Sequence, residues 1–280
     1  MDLRKIAESF DLGDISEVSE LRSGHINRTC RISCSSGRYI LQSLNREIFT
    51  EPEIIMRNIS RIEEAFRDEK IISIPRYLSC GGRNYAELDG EVWRIYRYIE
   101  EYPLSGNRNR AHGYAVGRFL KIVNSCATEF ETPIDLHGFG LKLPLRNIHG
   151  DTKADNIIFG RKTTVIDFDT AMRGYICADY GDMIRSVTAS GIDMQAVREI
   201  TEGFAEGLGG LLTLPEVDSL YPGIVLIIQE LAGRYHGGNK NFPNKTAEEC
   251  RIREKELMMQ LEKFNEHRDE IREMIKNCFS

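Results

Sequence analysis

His149-Gly150-Asp151-Thr152-Lys153-Ala154-Asp155-Asn156-Ile157-Ile158-Phe159 is followed, after a basic turn, by Thr164-Val165-Ile166-Asp167-Phe168-Asp169-Thr170. The apolar run Ile157 to Phe159 and the β-branched run Thr164 to Ile166 flank Gly160-Arg161-Lys162, the pattern of two short antiparallel strands joined by a turn. Such a hairpin presents Asp151 and Asn156 at its entrance and Asp167 at its exit. Three oxygen-bearing side chains drawn from one short segment make a compact site for a hard cation and a hydroxyl. Asp and Asn also favour ordinary turns, so each residue alone carries little and the ordered set carries the reading.

Working outward, the 280 residues suffice for one large domain or two intimate lobes. With 41% hydrophobic and 29% charged residues, the composition is that of a soluble globular protein. The net charge of −6 comes with no basic stripe, which argues against a nucleic-acid partner. The N-terminus opens in a polar amphipathic pattern without a signal-peptide core. The longest apolar run, Ile224 to Ile228, is far too short to span a bilayer, so no membrane partner is expected. Seven cysteines are scattered without a Cys-x-x-Cys pair, as expected for reduced thiols in a cytoplasmic protein rather than a disulfide frame or zinc site.

Ahead of the hairpin, residues 2–10 read as a short helix, and strands are expected across 21–32 and 37–44. Pro52 opens a helix over 52–68, with Ile55, Ile59, Ile62 and Phe66 at near-helical spacing. Tyr85 to Tyr96 reads as a hairpin about Asp89-Gly90. Its second strand runs into Tyr98-Ile99-Glu100-Glu101-Tyr102-Pro103, a connector between lobes. Helices are then expected over 110–126, from Ala178, over 193–207 and over 216–233, with a charge-rich helix or helix pair over 247–278. Strands followed by helices indicate an α+β architecture in two lobes. The expected division is 1–98, a connector 99–103, and 104–280.

His149-Gly150-Asp151, Asn156 and Ile166-Asp167-Phe168 resemble the aminoglycoside phosphotransferase group of the protein-kinase-like fold. Ser23-Gly24-His25-Ile26-Asn27, Tyr39-Ile40-Leu41-Gln42, Asp151-Thr152-Lys153 and Ile166-Asp167-Phe168-Asp169-Thr170 narrow the resemblance to the N-acetylhexosamine 1-kinases. The resemblance implies a two-lobed fold, an N-terminal nucleotide-binding antiparallel sheet with one helix and a larger helical lobe, using ATP and Mg²⁺ on a small-molecule acceptor. Asp151 would accept the proton of the attacking hydroxyl, with Asn156 and Asp167 as metal ligands. Lys153 is either a contact to the transferring phosphoryl group or a solvated loop lysine. Ser23, Gly24, His25 and Asn27 would lie over the phosphates, Gln42 would face the nucleotide, and the backbone around Tyr98 and Glu100 would read adenine. Asp182 either matches the acidic residue that, in kinase-like folds, supports the backbone of the catalytic loop, or is a simple helix N-terminal charge.

Two features depart from the kinase-like pattern. Gln42 stands where most such enzymes carry a phosphate-gripping lysine, and the segment after Leu136-His137-Gly138-Phe139 is short. For the acceptor, Arg234 and Asp169 are candidate sugar contacts, with a surface or capping role as the alternative for each. The expected activity is phosphorylation of a sugar at its anomeric hydroxyl. Its rivals are a kinase of another alcohol, such as an aminoglycoside, choline or homoserine, and an inactive nucleotide-binding homologue. A cationic acceptor calls for a carboxylate-rich pocket, and Glu199, Glu202, Glu206 and Glu230 are available in the later helices.

Overall fold

Alternating apolar residues in the first hundred positions build one antiparallel sheet. The structure, a computed structural model, describes residues 3–21, 27–133, 140–238, 242 and 245–280. Ser23, Gly24 and His25, and the Leu136 to Phe139 segment, lie outside the described residues. Helix α1 (Leu3–Glu8) precedes β1 (Ile15–Leu21), β2 (Arg28–Cys34) and β3 (Gly37–Ser43). Helix α2 (Pro52–Ala65) separates these from β4 (Ala86–Leu88) and β5 (Glu91–Arg97). The strands lie in the order β1-β2-β3-β5-β4. Asp89 and Gly90 both take positive φ, 52° and 82°, as the expected two-residue hairpin turn requires.

The period of two divides the sheet into faces. Tyr39, Leu41, Trp93 and Ile95 pack with Ile6 and Phe10 in a small outer core. Ile40, Leu44, Val92 and Tyr96 point the other way, into the main core. The same alternation puts Gln42 and Arg94, which are cross-strand partners, on the inner face. Helix α2 buries Ile55, Ile59 and Ile62 in the main core. Its Asn58, fully buried, donates through Nδ2 to the carbonyls of Glu131 and Ala171, both at 2.8 Å, and so ties the helix to the segment after Asp169.

Beyond the connector come α3 (Arg108–Ser125), β6 (Arg146–Ile148), a 3-10 turn (Ala154–Asn156), β7 (Ile157–Phe159), β8 (Thr163–Val165) and β9 (Met172–Gly174). Helices follow: α4 (Ile176–Val187), α5 (Met194–Leu208), α6 (Leu214–Asp218), α7 (Leu220–His236), α8 (Ala247–Glu266) and α9 (Arg268–Cys278). The expected hairpin is β7–β8, with Ile157 opposite Val165. Around it lies an unanticipated pair, β6–β9, with Ile148 opposite Met172. Each strand has three residues, too few for periodicity to register. Helices α3 and α5 meet backbone to backbone: a Cβ on Gly113 would lie 2.0 Å from the Ile200 carbonyl oxygen, and one on Gly203 2.1 Å from that of Arg110.

The single helix expected over 216–233 is two, α6 and α7, broken at Ser219. Pro222 explains the break. Within a continuous helix its ring would clash with the carbonyl four residues back, whereas in the first turn of α7 its missing N–H costs nothing. Thr213 and Glu216 form a capping box that starts α6, and Glu216 also pairs with Arg146 on β6 at 2.9 Å. The C-terminal segment is a helix pair broken at His267. No helix among the described residues is long and apolar enough to cross a membrane, and all seven cysteines are free thiols.

Candidate active site

A cleft of about 1600 Å³ runs between the inner face of the sheet and helices α4, α7 and α8. Every described residue singled out for the site lines it: Asn27, Gln42, Tyr98, Glu100, Asp151, Lys153, Asn156, Asp167, Asp169 and Arg234. They arrive from strands, connector, hairpin and a late helix, and the fold brings them together.

The loop from His149 to Asn156 is held from three sides. Asp179, 1% exposed on α4, accepts from the backbone N–H of His149 and of Gly150, both at 2.8 Å. This corrects the expectation for Asp182: the carboxylate supporting the loop lies one turn earlier on α4. The buried His149 accepts the Asp151 N–H at Nδ1 (3.3 Å) and donates from Nε2 to the Ile166 carbonyl (3.0 Å), and it packs edge-on against the stacked rings of Phe119 and Phe168. It therefore links the two halves of the site, and it is not placed to bind a metal. Gly150 takes φ of 82°, and a Cβ there would meet the Thr170 carbonyl oxygen at 2.4 Å, so this close approach needs glycine.

Asp151 stands half-buried at the mouth of this loop, and Lys153 Nζ donates to its Oδ2 at 2.5 Å. Burial pulls the Lys153 ammonium down, but Asp151, with smaller help from Asp167 and Asp182, outweighs it and raises the pKa. Lys153 is thus a charged, partly exposed group in the site, paired with Asp151. Asn156 donates from Nδ2 to the Asp151 carbonyl at 2.8 Å, leaving its side-chain oxygen as the atom suited to a cation. Asp167 has a left-handed backbone, φ 69°, which turns its side chain into the cleft. Burial first, then Asp169 and Asp151, push its carboxyl up to about 7. A half-buried carboxylate crowded by two others, in the same cleft as an unspent amide oxygen, fits a hard divalent cation.

Asp169 has a role that was not foreseen. Arg94, fully buried on β5, donates from Nη1 to Oδ1 of Asp169 at 2.5 Å and from Nη2 to Oδ2 at 3.0 Å. Asn27 Nδ2 also donates to Oδ2, at 2.5 Å, and its own oxygen accepts from the Asn45 N–H at 3.1 Å. Both oxygens of Asp169 are engaged inside the protein, so the sugar-contact and turn-cap expectations give way to a bridge from the sheet to the Asp167 segment. Arg94 also donates to Gln42 Oε1 from Nη2 (3.0 Å) and Nε (3.2 Å). The Gln42 oxygen is thereby occupied, and its amide nitrogen, 3.3 Å from Thr29 Oγ1, is left as the donor on the cleft side. The signal for Arg94 was present in the sequence, since Val92-Arg94-Tyr96 alternates with Trp93-Ile95 and places a cation on the inner face.

In the connector, Tyr98 donates its N–H to the Arg38 carbonyl at 2.9 Å and lies under the Arg38 guanidinium. Glu100 accepts from Arg38 and Tyr102, which hold its carboxyl below the ordinary range, Tyr102 foremost. On the opposite wall, Arg234 lies over the Phe242 ring, which stacks on Tyr235 at 4.0 Å. Helix α8 also contributes Glu249, Ile252, Arg253 and Glu256 to the cleft.

His112 beneath the loop yields a pH prediction. It is 3% exposed, its Nε2 bonds the Thr152 carbonyl at 3.0 Å, and burial pushes its pKa down to about 4. The folded value lies below the unfolded one, so its contribution is complete above about pH 6.5 and is lost as pH falls towards 4. The loss amounts to roughly 3 kcal/mol at most. Urea unfolding of the wild type and His112→Gln should diverge in pH dependence across that window, the variant being the flatter; parallel curves would reject the assignment.

Residues 135–218 match the sequence profile of the Phosphotransferase enzyme family, which spans the hairpin and α4. Among solved structures the chain is similar to a microcompartment-associated aminopropanol kinase, with a TM-score of 0.73 and 12% identity over 96% of this chain and 98% of that one. It is also similar to an aminoglycoside phosphotransferase from Alicyclobacillus acidocaldarius (TM-score 0.67, 11% identity, 99% and 97% covered). A third likeness is to a spectinomycin phosphotransferase in complex with ADP and spectinomycin (0.59, 12%, 92% and 94%). At these identities the likeness is one of fold, and the fold is the two-lobed kinase-like architecture of the aminoglycoside phosphotransferase type.

Proposed function

We propose that the protein is an ATP- and Mg²⁺-dependent kinase of a small neutral alcohol, a sugar phosphorylated at its anomeric hydroxyl, with N-acetylhexosamines the first to test. The convergence of Asp151, Lys153, Asn156 and Asp167 in one interlobe cleft carries this reading. Phosphoryl transfer needs positioning and charge neutralisation more than covalent participation by the protein, and these groups suit that division. Asp151 accepts the proton of the attacking hydroxyl. An anomeric hydroxyl is the most acidic on a sugar, which eases the demand on a carboxylate base. Lys153, hydrogen-bonded to Asp151, would meet the transferred group as a point charge. Asn156 and Asp167 would hold Mg²⁺, which supplies neutralisation of the nucleotide phosphates.

Two observations favour this reading over its rivals. Of the carboxylates that offered a cationic pocket, Glu202 and Glu206 pair with Arg110, and Glu199 accepts from Asn109 and Gln195, all away from the cleft. Glu230 does line the cleft, but so do Arg185, Arg234, Lys245 and Arg253 from the helices and the segment before α8. The inactive-homologue reading rested on Gln42 and on the shortened segment before His149; against its first ground, Arg94 donates to Gln42 Oε1 and fixes its amide at the cleft.

The test is a phosphotransfer screen with ATP and Mg²⁺ over N-acetylhexosamines, plain hexoses, aminoglycosides and choline, with Asp151→Asn as the control. Turnover of a neutral sugar is expected. If nothing reacts above the control, the kinase reading fails; if only cationic acceptors react, the sugar reading fails and the kinase one survives.

A further inference from the structure

Two side-chain amides line the cleft on the sheet side, Asn27 just ahead of β2 and Gln42 on β3, and they are held differently. Asn27 is tied at both ends, its nitrogen on Asp169 Oδ2 and its oxygen on the Asn45 N–H. Gln42 is tied through its oxygen, which accepts from Nη2 (3.0 Å) and Nε (3.2 Å) of Arg94. Its nitrogen lies 3.3 Å from Thr29 Oγ1, a long contact, and nothing among the described residues accepts its second N–H. Thr29 and Gln42 are half-buried and line the cleft, whereas Arg94 is fully buried and does not. A guanidinium only donates, so the carbonyl end of the amide can satisfy it and the NH₂ end cannot. The Gln42 head group therefore has one orientation, with its N–H groups on the Thr29 side. The same Arg94 Nη2 also donates to Asp169 Oδ2 at 3.0 Å, so a single nitrogen joins the Gln42 head group to the segment that carries Asp167.

We propose that Gln42 is the sheet's contact to the nucleotide phosphates, a neutral N–H donor, and that Arg94 is its positioning residue, holding the amide in the orientation that donates. This rests on the kinase reading above. Asp167, two residues from Asp169, is the residue assigned to the cation that phosphates bind, so phosphates at that cation lie against the part of the sheet where Gln42 meets Asp169 through Arg94. A reversed amide would turn its oxygen towards those anions and lose the bond. The charge of Arg94 is not what the phosphates meet, because Asp169 takes it through both oxygens and the pair is buried as a neutral unit. The same arrangement accounts for a glutamine at this position. A lysine ammonium there would face the Arg94 guanidinium with both oxygens of Asp169 already taken, and two cations so close in a buried site repel.

The experiment measures Kd for ATP with Mg²⁺ and for adenosine, by titration calorimetry, in the wild-type protein, Gln42→Met, Arg94→Lys and the double variant. Adenosine has no phosphates, so a loss of general structure moves both constants and a lost phosphate contact moves only one. Gln42→Met should weaken ATP about tenfold or more, the scale of one hydrogen bond to a charged group, with adenosine unchanged. Arg94→Lys keeps a cation for Asp169 but gives up the fork that also holds Gln42, and should weaken ATP selectively as well. Because Arg94 acts through Gln42, the double variant should bind ATP no worse than Gln42→Met; additive losses would remove Arg94 from the positioning role. Gln42→Glu keeps the acceptor that Arg94 needs and removes only the donor, so it carries the test should the other variants fail to fold, again with ATP weakened and adenosine unchanged. If both ligands weaken equally, or if the Gln42 variants alter only the KM of the alcohol acceptor, the inference fails and the kinase reading stands. If the wild type binds no nucleotide, the two fall together.

Discussion

Asp151→Asn should lower kcat by about a hundredfold to ten-thousandfold, the usual contribution of a positioned general base. The substitution is nearly isosteric. The loop that carries residue 151 is held by Asp179, His149 and Asn156 acting on backbone atoms, so the variant should remain folded. On the proposed mechanism the variant would lose the acceptor for the substrate proton, together with the anion that Lys153 faces at 2.5 Å. Steady-state kinetics with the best acceptor from the screen will measure the effect. A fall of less than about tenfold would remove Asp151 from the role of base.

Arg94→Met should be the most destabilising single change in the sheet, at about 3–5 kcal/mol, the range for removing one partner of a buried ion pair. Asp169 would then remain buried with no cation, and Gln42 Oε1 would lose the guanidinium that fixes its amide. Arg94→Met combined with Asp169→Leu should be more stable than Arg94→Met alone, because no unpaired charge is left inside. Recovery should be partial, since the Asn27 amide also loses its acceptor. Urea midpoints for the three proteins decide the matter: a double variant no better than the single one would show that the pair is not what stabilises this region. Both variants should lose activity, because Asp169 sits two residues from Asp167 and fixes that segment against the sheet.

How far the sequence reaches can be seen in particular elements. The β7–β8 hairpin, the Asp89-Gly90 turn and the sheet-then-helices order were legible because each depends on residues close together in the chain. The missed β6–β9 pair and the break at Ser219 show where this ends. Three-residue strands carry no period, and apolar residues continue across the junction from α6 to α7 although Pro222 fixes a new start. The glycine-lined approach of α3 to α5 joins residues about ninety positions apart, beyond any local pattern.

For the site the division is the same. The order and spacing of Asp151, Lys153, Asn156 and Asp167 were determined by the sequence alone, since one loop and one hairpin carry them all and local geometry suffices to gather them. Only the tertiary structure decided which carboxylate does what elsewhere. Asp179 and Asp182 are one helical turn apart on the same face of α4, so spacing cannot say which reaches the catalytic loop and which faces the cleft. Asp169 looked like a ligand for substrate until Arg94, 75 residues away, was found to take both its oxygens. Buried charges are assigned by the partners that desolvation forces on them, and those partners come from whichever strand or helix the fold lays alongside.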